Sequence, residues 1–162
     1  MSKTLLVTGG TGSFGNAVVK KFLNSKTYSE VRIFSRDESK QDKMAQEYNN
    51  SKLSFYLGDV RDEERIKHVS KGVDVIFHAA ALKIVPSCEN ATWETIKTNI
   101  IGSKNVIEAA ISNKIKNLTL LSTDKSVYPI NTMGMTKALV QKMALSVDFP
   151  DKTNINCVRY GN

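Results

Sequence analysis

Residues 4–15 read TLLVTGGTGSFG, and this stretch decides the fold. Thr4–Thr8 is a short run suited to a buried strand, and glycines follow at Gly9, Gly12 and Gly15. Beyond them Phe14, Val18, Val19 and Phe22 share one helical face. A strand that turns on glycines directly into a helix brings backbone N–H groups to the helix N-terminus, where they face anionic groups. The spacing is the G-x-x-G-x-x-G variant of the dinucleotide-binding turn. One glycine allows the tight turn, another lets the backbone approach a pyrophosphate, and the last lets helix pack on strand. Gly9, Thr11, Gly12, Ser13, Phe14 and Gly15 are therefore the first candidate cofactor contacts.

The same alternation continues outward. Further strand-like runs lie at Val31–Ser35, Leu53–Leu57, Asp74–His78, Asn117–Ser122 and Ile155–Tyr160. Helical spacing falls between them: Met44, Ala45 and Tyr48; Ile66 and Val69; a long face through Ile96, Ile100, Val106, Ile107 and Ala110; and a last one with Ala138, Leu139, Lys142, Met143 and Leu145. Strictly alternating strands and helices predict an α/β fold, a doubly wound parallel sheet of six or more strands with helices on both faces. Right-handed crossovers give the Rossmann order 3-2-1-4-5-6. Asn49-Asn50-Ser51 and Pro150-Asp151 read as turns, and residues 1–162 as one domain.

Composition agrees with a soluble globular domain: 162 residues, 41% hydrophobic and 24% charged. The apolar runs are too short to span a bilayer, and the N-terminus lacks a signal-peptide pattern, so a cytoplasmic protein is expected. Cys88 and Cys157 form neither a metal spacing nor a disulfide framework and are read as reduced thiols, and no metal site is expected. The net charge of +7 comes from lysines spread along the chain. It suits a solvated surface or the attraction of small polyanions. No nucleic-acid-binding motif accompanies it, so no nucleic-acid partner is expected.

The carboxyl ends of the strands supply further candidates. After the second strand come Ser35, Arg36 and Asp37. An arginine there pairs with the 2′-phosphate of NADP, whereas an acid holds the 2′-hydroxyl of NAD. Ser35 with Arg36 favours NADP, with NAD as the alternative. Asp59 and Val60 follow the third strand, as an adenine contact or as a helix cap. His78-Ala79-Ala80-Ala81 follows the fourth, where the small residues admit a cofactor closely. His78 itself is expected to be packed and hydrogen-bonded, and His68 to lie on the surface.

The fifth strand runs into LSTDKSVYPINTMGMTK, residues 121–137. Thr123, Asp124 and Lys125 end the strand, and Lys137 opens a helix. An acid and two amines beside a cofactor are suited to proton transfer.

TGGTGSFG, FSRDESKQDKM, GDVRD, HAAALKIVPSCE, KTNIIGSKNVIEAAI, LSTDK, PINTMGMTK and RYGN occur in this order over essentially the whole chain. Together they resemble the polysaccharide-biosynthesis, CapD/CapE-like branch of the extended short-chain dehydrogenase/reductases. That branch contains C5-inverting UDP-N-acetylglucosamine 4,6-dehydratases and proteins named UDP-sugar 4-epimerases. The resemblance implies a bound NADP that accepts hydride from sugar C4 and returns it at C6 after water is lost across C5 and C6. It also implies that Asp124 protonates the departing C6 hydroxyl and Lys125 takes the C5 proton. Thr123 would hydrogen-bond near C4, and Lys137 would hold the nicotinamide ribose. The acid must be protonated and the amine neutral, which calls for a desolvated site. The superfamily signature Tyr-x-x-x-Lys reads Met133-x-x-x-Lys137 here. The C4 proton must then pass to Lys125, to water or to Tyr128, unless Tyr128 only packs in its loop. Lys83 is expected over cofactor or substrate phosphates, and Glu89 and Asn99 as orienting groups.

Family members continue past RYGN into a smaller sugar-nucleotide domain, and Asn162 lies where substrate contacts begin. The chain is thus expected to be the cofactor-binding part of a UDP-sugar dehydratase or epimerase that forms a homo-oligomer. A catalytically inactive dinucleotide-binding module is the remaining alternative.

Overall fold

The computed structural model describes residues 3–146 and 153–161. Strands β1 (Lys3–Thr8), β2 (Tyr28–Ser35), β3 (Leu53–Leu57), β4 (Val75–His78), β5 (Asn117–Thr123) and β6 (Asn154–Tyr160) form one parallel sheet. Its order is β3-β2-β1-β4-β5-β6, as the alternation predicted. β4 starts at Val75 rather than Asp74, whose carboxylate instead accepts the Thr4 N–H at 2.9 Å. β2 begins earlier than its apolar run, at Tyr28.

The period-two pleat divides the core. Leu5 and Val7 of β1 pack with Val18, Val19 and Leu23 of α1 (Ser13–Leu23) and Met44 of α2 (Glu38–Tyr48). Leu6 points the other way, into a cluster with Ile66 and Val69 of α3 (Glu63–Val69). Val106, Ile107 and Ala110 of α6 (Gly102–Ser112) and Val140 and Ala144 of α7 (Thr132–Ala144) complete that cluster. Each such fully buried aliphatic side chain contributes about 1.5–3 kcal/mol. The central strands are buried on both faces, whereas β6, at the sheet edge, leaves Val158 and Tyr160 exposed.

Local chemistry sets the boundaries. Asp37 and Asp62 cap α2 and α3 by accepting the Lys40 and Arg65 N–H groups. α2 ends at Asn49 in the left-handed region (φ 39°), within the expected Asn49-Asn50-Ser51 turn. Pro150-Asp151 lies outside the described residues.

Two helical expectations are corrected. The long face through Ile96 and Ala110 is not one α-helix. The chain forms α4 (Val85–Asn90), α5 (Thr92–Ile96), a π-helical turn at Lys97–Ile101, and then α6. The widened turn carries Thr98 and Asn99 into the interior, and a 3.6-residue period cannot register its extra residue. In α7 the buried face is not the predicted one. Leu139 and Leu145 are 52% and 69% exposed, while Met133, Thr136, Lys137 and Gln141 point inward. The inward face mixes Thr136, Lys137 and Gln141 with Met133, Val140 and Ala144, and these buried polar positions hid it from hydrophobic periodicity.

Candidate active site

A cleft of about 1070 Å³ opens at the carboxyl ends of the strands, where the strand order reverses between β1 and β4. That volume is at the top of the range usual for cofactor sites, roughly 300–1,000 Å³. Gly9, Thr11, Gly12, Ser13, Phe14, Gly15, Ser35, Arg36, Asp59, Val60, Ala79, Ala80, Ala81, Lys83, Thr123, Lys125 and Lys137 all line it. Asp124 does not line it, and Asn162 lies outside the described residues.

The glycine turn is shaped by backbone contact. Gly9 has φ +67°, and a Cβ on it would stand 2.7 Å from the Ala80 nitrogen. A Cβ on Gly15 would stand 2.3 Å from the Gly9 oxygen. α1 starts at Gly12 without a side-chain cap, so its first-turn N–H groups are directed to the cleft rather than to a neighbouring hydroxyl or carboxylate. This cradle, which any side chain would fill, fits a dinucleotide pyrophosphate.

At the far end of the cleft, Ser35 is buried and its hydroxyl accepts from Gln41 Nε2 at 3.0 Å. Arg36 is half exposed and pairs with Asp59 at 3.4 Å. Asp37, the acidic alternative for a ribose hydroxyl, is engaged twice with Lys40: it caps α2 through the Lys40 amide and pairs with Nζ at 3.0 Å. Asp59 accepts from the Arg61 backbone at 2.9 Å and from its guanidinium at 2.6 Å. Partial burial pushes the Asp59 carboxyl up, but the Arg61 hydrogen bonds outweigh it and the net displacement is downward. Lys40 joins these residues in the cleft wall.

At the other end, β5 runs into a 3-10 turn at Asp124–Ser126. Asp124 Oδ1 accepts from the Thr123 hydroxyl and the Lys125 amide, both at 2.8 Å, and lies 3.4 Å from Lys125 Nζ. The Thr123 hydroxyl and the Lys125 amide hold the Asp124 carboxyl below the ordinary aspartate value. Its side chain is 54% exposed. The desolvated acid expected at this position is therefore not formed within this chain, because solvent and hydrogen-bond donors both favour the carboxylate.

Lys137 is buried, and its Nζ donates to the Leu121 carbonyl at 2.9 Å. Burial lowers its pKa to about 8, against a small opposing effect of the Cys157 thiolate. Met133 is buried in the cleft wall one turn before it. Tyr128 is 89% exposed and lines no part of the cleft, so it neither packs in its loop nor stands in for the missing phenol.

The surrounding groups are held structurally. Asn99 donates to the Leu82 carbonyl and the Thr136 hydroxyl at 3.0 Å each and accepts the Leu82 amide at 2.8 Å, so it ties loop to helix. Glu89 accepts the Thr132 N–H at the start of α7. His78 lies between the Thr8 hydroxyl (2.6 Å) and the Ser103 hydroxyl (2.9 Å). Ser103 donates to the Asn99 carbonyl, so it accepts from Nε2–H, and Nδ1 accepts from Thr8. Burial, with the Lys137 charge adding to it, holds His78 at a pKa of about 3, so it stays neutral. His68 is on the surface.

Sequence reasoning missed Thr98, Tyr160 and Lys40. Thr98 is buried, its hydroxyl has no partner among the described residues, and it lines the cleft. No sequence pattern announces the π-helical turn that turns it inward. Tyr160 stacks on Phe14 with ring centroids 5.2 Å apart. Its place at a strand end was the available signal.

Fold and site define a dinucleotide-binding domain of the doubly wound class. The family described as "Polysaccharide biosynthesis protein" matches residues 5–162. The chain belongs to that family, within the extended short-chain dehydrogenase/reductases. It is 53% identical to a UDP-glucose 4-epimerase of Rickettsia prowazekii (strain Madrid E), covering 100% of this chain and 49% of that protein. The chain thus spans about half the length of the curated relatives it matches. Among solved structures, Pen from Bacillus thuringiensis superposes with a TM-score of 0.95 at 33% identity, covering 99% of this chain and 50% of the other. The UDP-Glc/GlcNAc 4-epimerase of Campylobacter jejuni shares the fold, with a TM-score of 0.86 at 17% identity over 98% of this chain and 53% of its own.

Proposed function

We propose that the chain is the cofactor-binding part of a UDP-sugar-modifying enzyme of surface-polysaccharide biosynthesis that works by transient oxidation at sugar C4. The reaction we assign is the C5-inverting 4,6-dehydration of UDP-N-acetylglucosamine. The observation that carries the reading is the meeting of Thr123, Lys125, Lys137 and Met133 in the same cleft as the glycine turn. When bound, the nicotinamide supplies a temporary acceptor for the C4 hydrogen and its electron pair.

The chain's own residues do the rest. Gly9, Gly12 and Gly15 give the pyrophosphate backbone N–H groups, and the free Thr98 hydroxyl offers one more partner. Ser35, Arg36 and Lys40 surround the place of a 2′-phosphate, while Asp37 is engaged as the α2 cap; this favours NADP over NAD. Lys137 holds the ribose, and its lowered pKa leaves a sizeable neutral fraction near pH 8. Met133 carries no titratable proton, so the C4 hydroxyl proton leaves through water to solvent, and Lys125, neutral at that moment, takes the C5 proton. Asp124 gives a proton to the C6 oxygen as it leaves. Its carboxyl must rise for this, and a substrate that displaces water around it raises it by desolvation. Lys83 at the cleft wall meets substrate phosphate.

A second reading, UDP-sugar 4-epimerisation, is favoured by the name of the 53%-identical relative. The two share C4 oxidation and part at C5. The test is incubation with UDP-N-acetylglucosamine or UDP-glucose in D2O, using the chain extended by a sugar-nucleotide-binding half, with products read by NMR. A 4-keto-6-deoxy product with deuterium at C5 is expected. A C4-inverted sugar without deuterium at C5 would replace dehydration by epimerisation, and no conversion of either sugar would overturn both.

A further inference from the structure

The turn that carries Asp124 and Lys125 is fastened from below by a polar cluster. Gln141 lies on the inner face of α7 and is buried, as are Ser122 and Ser126. Its Oε1 accepts from Arg159 Nε at 2.8 Å and Nη2 at 2.6 Å. A guanidinium only donates, so the orientation of the Gln141 amide is fixed and Nε2 must face the two serines. Nε2 donates to both the Ser122 and the Ser126 hydroxyls. Ser126, accepting from Gln141, passes its own proton to the Thr123 carbonyl. The amide uses both donors and accepts twice, and the bonds run unbroken from β6 through α7 to the residue before Asp124.

Two further contacts converge on the same turn. A Cβ on Gly134 would stand 2.4 Å from the Lys125 carbonyl oxygen, so the start of α7 is pressed directly on the backbone of the pair. A Cβ on Gly161 would stand 3.5 Å from Asp124 Oδ2, so the segment that leaves Arg159 runs beside the acid, which stays half exposed. Arg159 thus joins the chain that runs beside Asp124 to the network that supports it. Neither Gln141 nor Arg159 lines the cleft; they act only through the turn.

We propose that Gln141 is a positioning residue for the Asp124–Lys125 pair, with Arg159 as its orienting partner, so that seating of β6 and aiming of the acid and base are one event. The inference rests on the reading of Asp124 and Lys125 as the proton-transfer pair. A directional network of this kind can hold a turn to a fraction of an ångström, and a displacement of about 1 Å can lower a rate on the order of 10²-fold.

The experiment uses the chain itself, isotopically labelled, with Gln141→Leu, Gln141→Glu and Arg159→Lys. Gln141→Leu removes the amide. Gln141→Glu keeps a partner for Arg159 but has no donor for Ser126, which must then turn its single proton away from Thr123. Arg159→Lys preserves the charge and one donor to Oε1. Three readouts are taken: the ¹³C titration of the Asp124 carboxyl, hydrogen exchange of the Lys125 and Val127 amides, and calorimetric affinity for NADP(H).

In both Gln141 variants the Asp124 titration should move up toward the ordinary aspartate value, because the Thr123 and Lys125 donors are no longer held on it. Exchange of the two amides should quicken about tenfold or more, with cofactor affinity changed less than about twofold and Arg159→Lys close to the parent. If Gln141→Leu fails to fold, Gln141→Glu, which retains the Arg159 pair, decides alone. An unchanged Asp124 titration and unchanged amide exchange in a folded Gln141 variant would overturn the proposal. So would a loss of cofactor affinity equal to the change at the turn, since it would mark a general structural role. In the form extended by a sugar-nucleotide half, turnover of UDP-N-acetylglucosamine, read as product by NMR, should fall about 10–100-fold in kcat with KM little changed. If the parent gives no such signal, the proton-transfer reading fails, while the titration and exchange still decide whether Gln141 aims the turn.

Discussion

The two ends of the cleft are built by different means. At the β1–α1 end the site is backbone: Gly9 and Gly15 leave no room for a Cβ, and the first-turn amides of α1 face the crevice. At the β5–α7 end it is side chains: Thr123, Lys125, Lys137 and Met133 project from a turn and a helix that a buried polar network holds in place. A backbone site binds a constant chemical feature, the pyrophosphate, and tolerates little change in the residues that make room for it. A side-chain site can alter its chemistry by one substitution, and Met133 beside Lys137 is such an alteration. In the proposed reading the first end anchors and the second reacts.

Breaking the reactive end should have the largest effect. In a form extended by a sugar-nucleotide half, Lys125→Ala should abolish C5 exchange with solvent deuterium. Asp124→Asn should stop loss of the C6 hydroxyl while leaving part of that exchange, because proton abstraction comes first. Each loss is expected at about 10²–10⁴-fold. Met133→Ala should cost turnover less than about tenfold, since no proton passes through a thioether. Equal damage from Met133→Ala and Lys125→Ala, with the fold intact, would erase the distinction drawn between them.

The anchoring end should break sterically. Gly15→Ala places a Cβ 2.3 Å from a backbone oxygen, with no flexible side chain to yield. It should destabilise the domain by about 2–3 kcal/mol and abolish measurable dinucleotide binding. Gly72→Ala is the contrast: at φ +72° with nothing within 4 Å, it should cost only about 1 kcal/mol, the left-handed backbone penalty, and leave binding unchanged. Urea unfolding and calorimetry on both variants separate the two outcomes.

A smaller effect, with a definite sign, comes from Lys137. Burial lowers its pKa to about 8 from an unfolded value near 10.5. Between these two values the unfolded chain binds more protons than the native one, so the Lys137 contribution to stability rises with pH across that window. Below pH 8 both states carry the charge, and the native state bears the cost of burying it. Lys137→Met should therefore lose a stability gain of about 2 kcal/mol between pH 7 and 9.5 that the parent shows in urea unfolding. The same gain in both proteins would mean that Lys137 is not the buried titrating group.

How far the sequence could be read follows the same division. The strand–turn–helix alternation is dictated by burial on both faces, and it led to the correct strand order with strand ends displaced by three residues or fewer. Glycines report backbone crowding directly, so the anchoring end was visible at Gly9, Gly12 and Gly15. Lys125 and Lys137 were visible as chemistry, but not the burial of one and the partial exposure of the other. Hydrophobic periodicity misread α7, because its inner face holds Thr136, Lys137 and Gln141 and its outer face Leu139 and Leu145. The unpartnered Thr98 hydroxyl was hidden by the extra residue of a π-helical turn. The desolvation expected around Asp124 is absent because that environment depends on what closes over the turn, which no local pattern encodes.

The most direct test of the central claim, a cleft at the carboxyl ends of the strands that anchors NADP through the glycine turn and Arg36, is a calorimetric titration of the chain with NADP(H) and NAD(H). One charge-assisted pair with the 2′-phosphate predicts NADP(H) binding about tenfold tighter or more, with the preference lost in Arg36→Ala. Tighter binding of NAD(H), or no binding of either cofactor by folded protein, would contradict it.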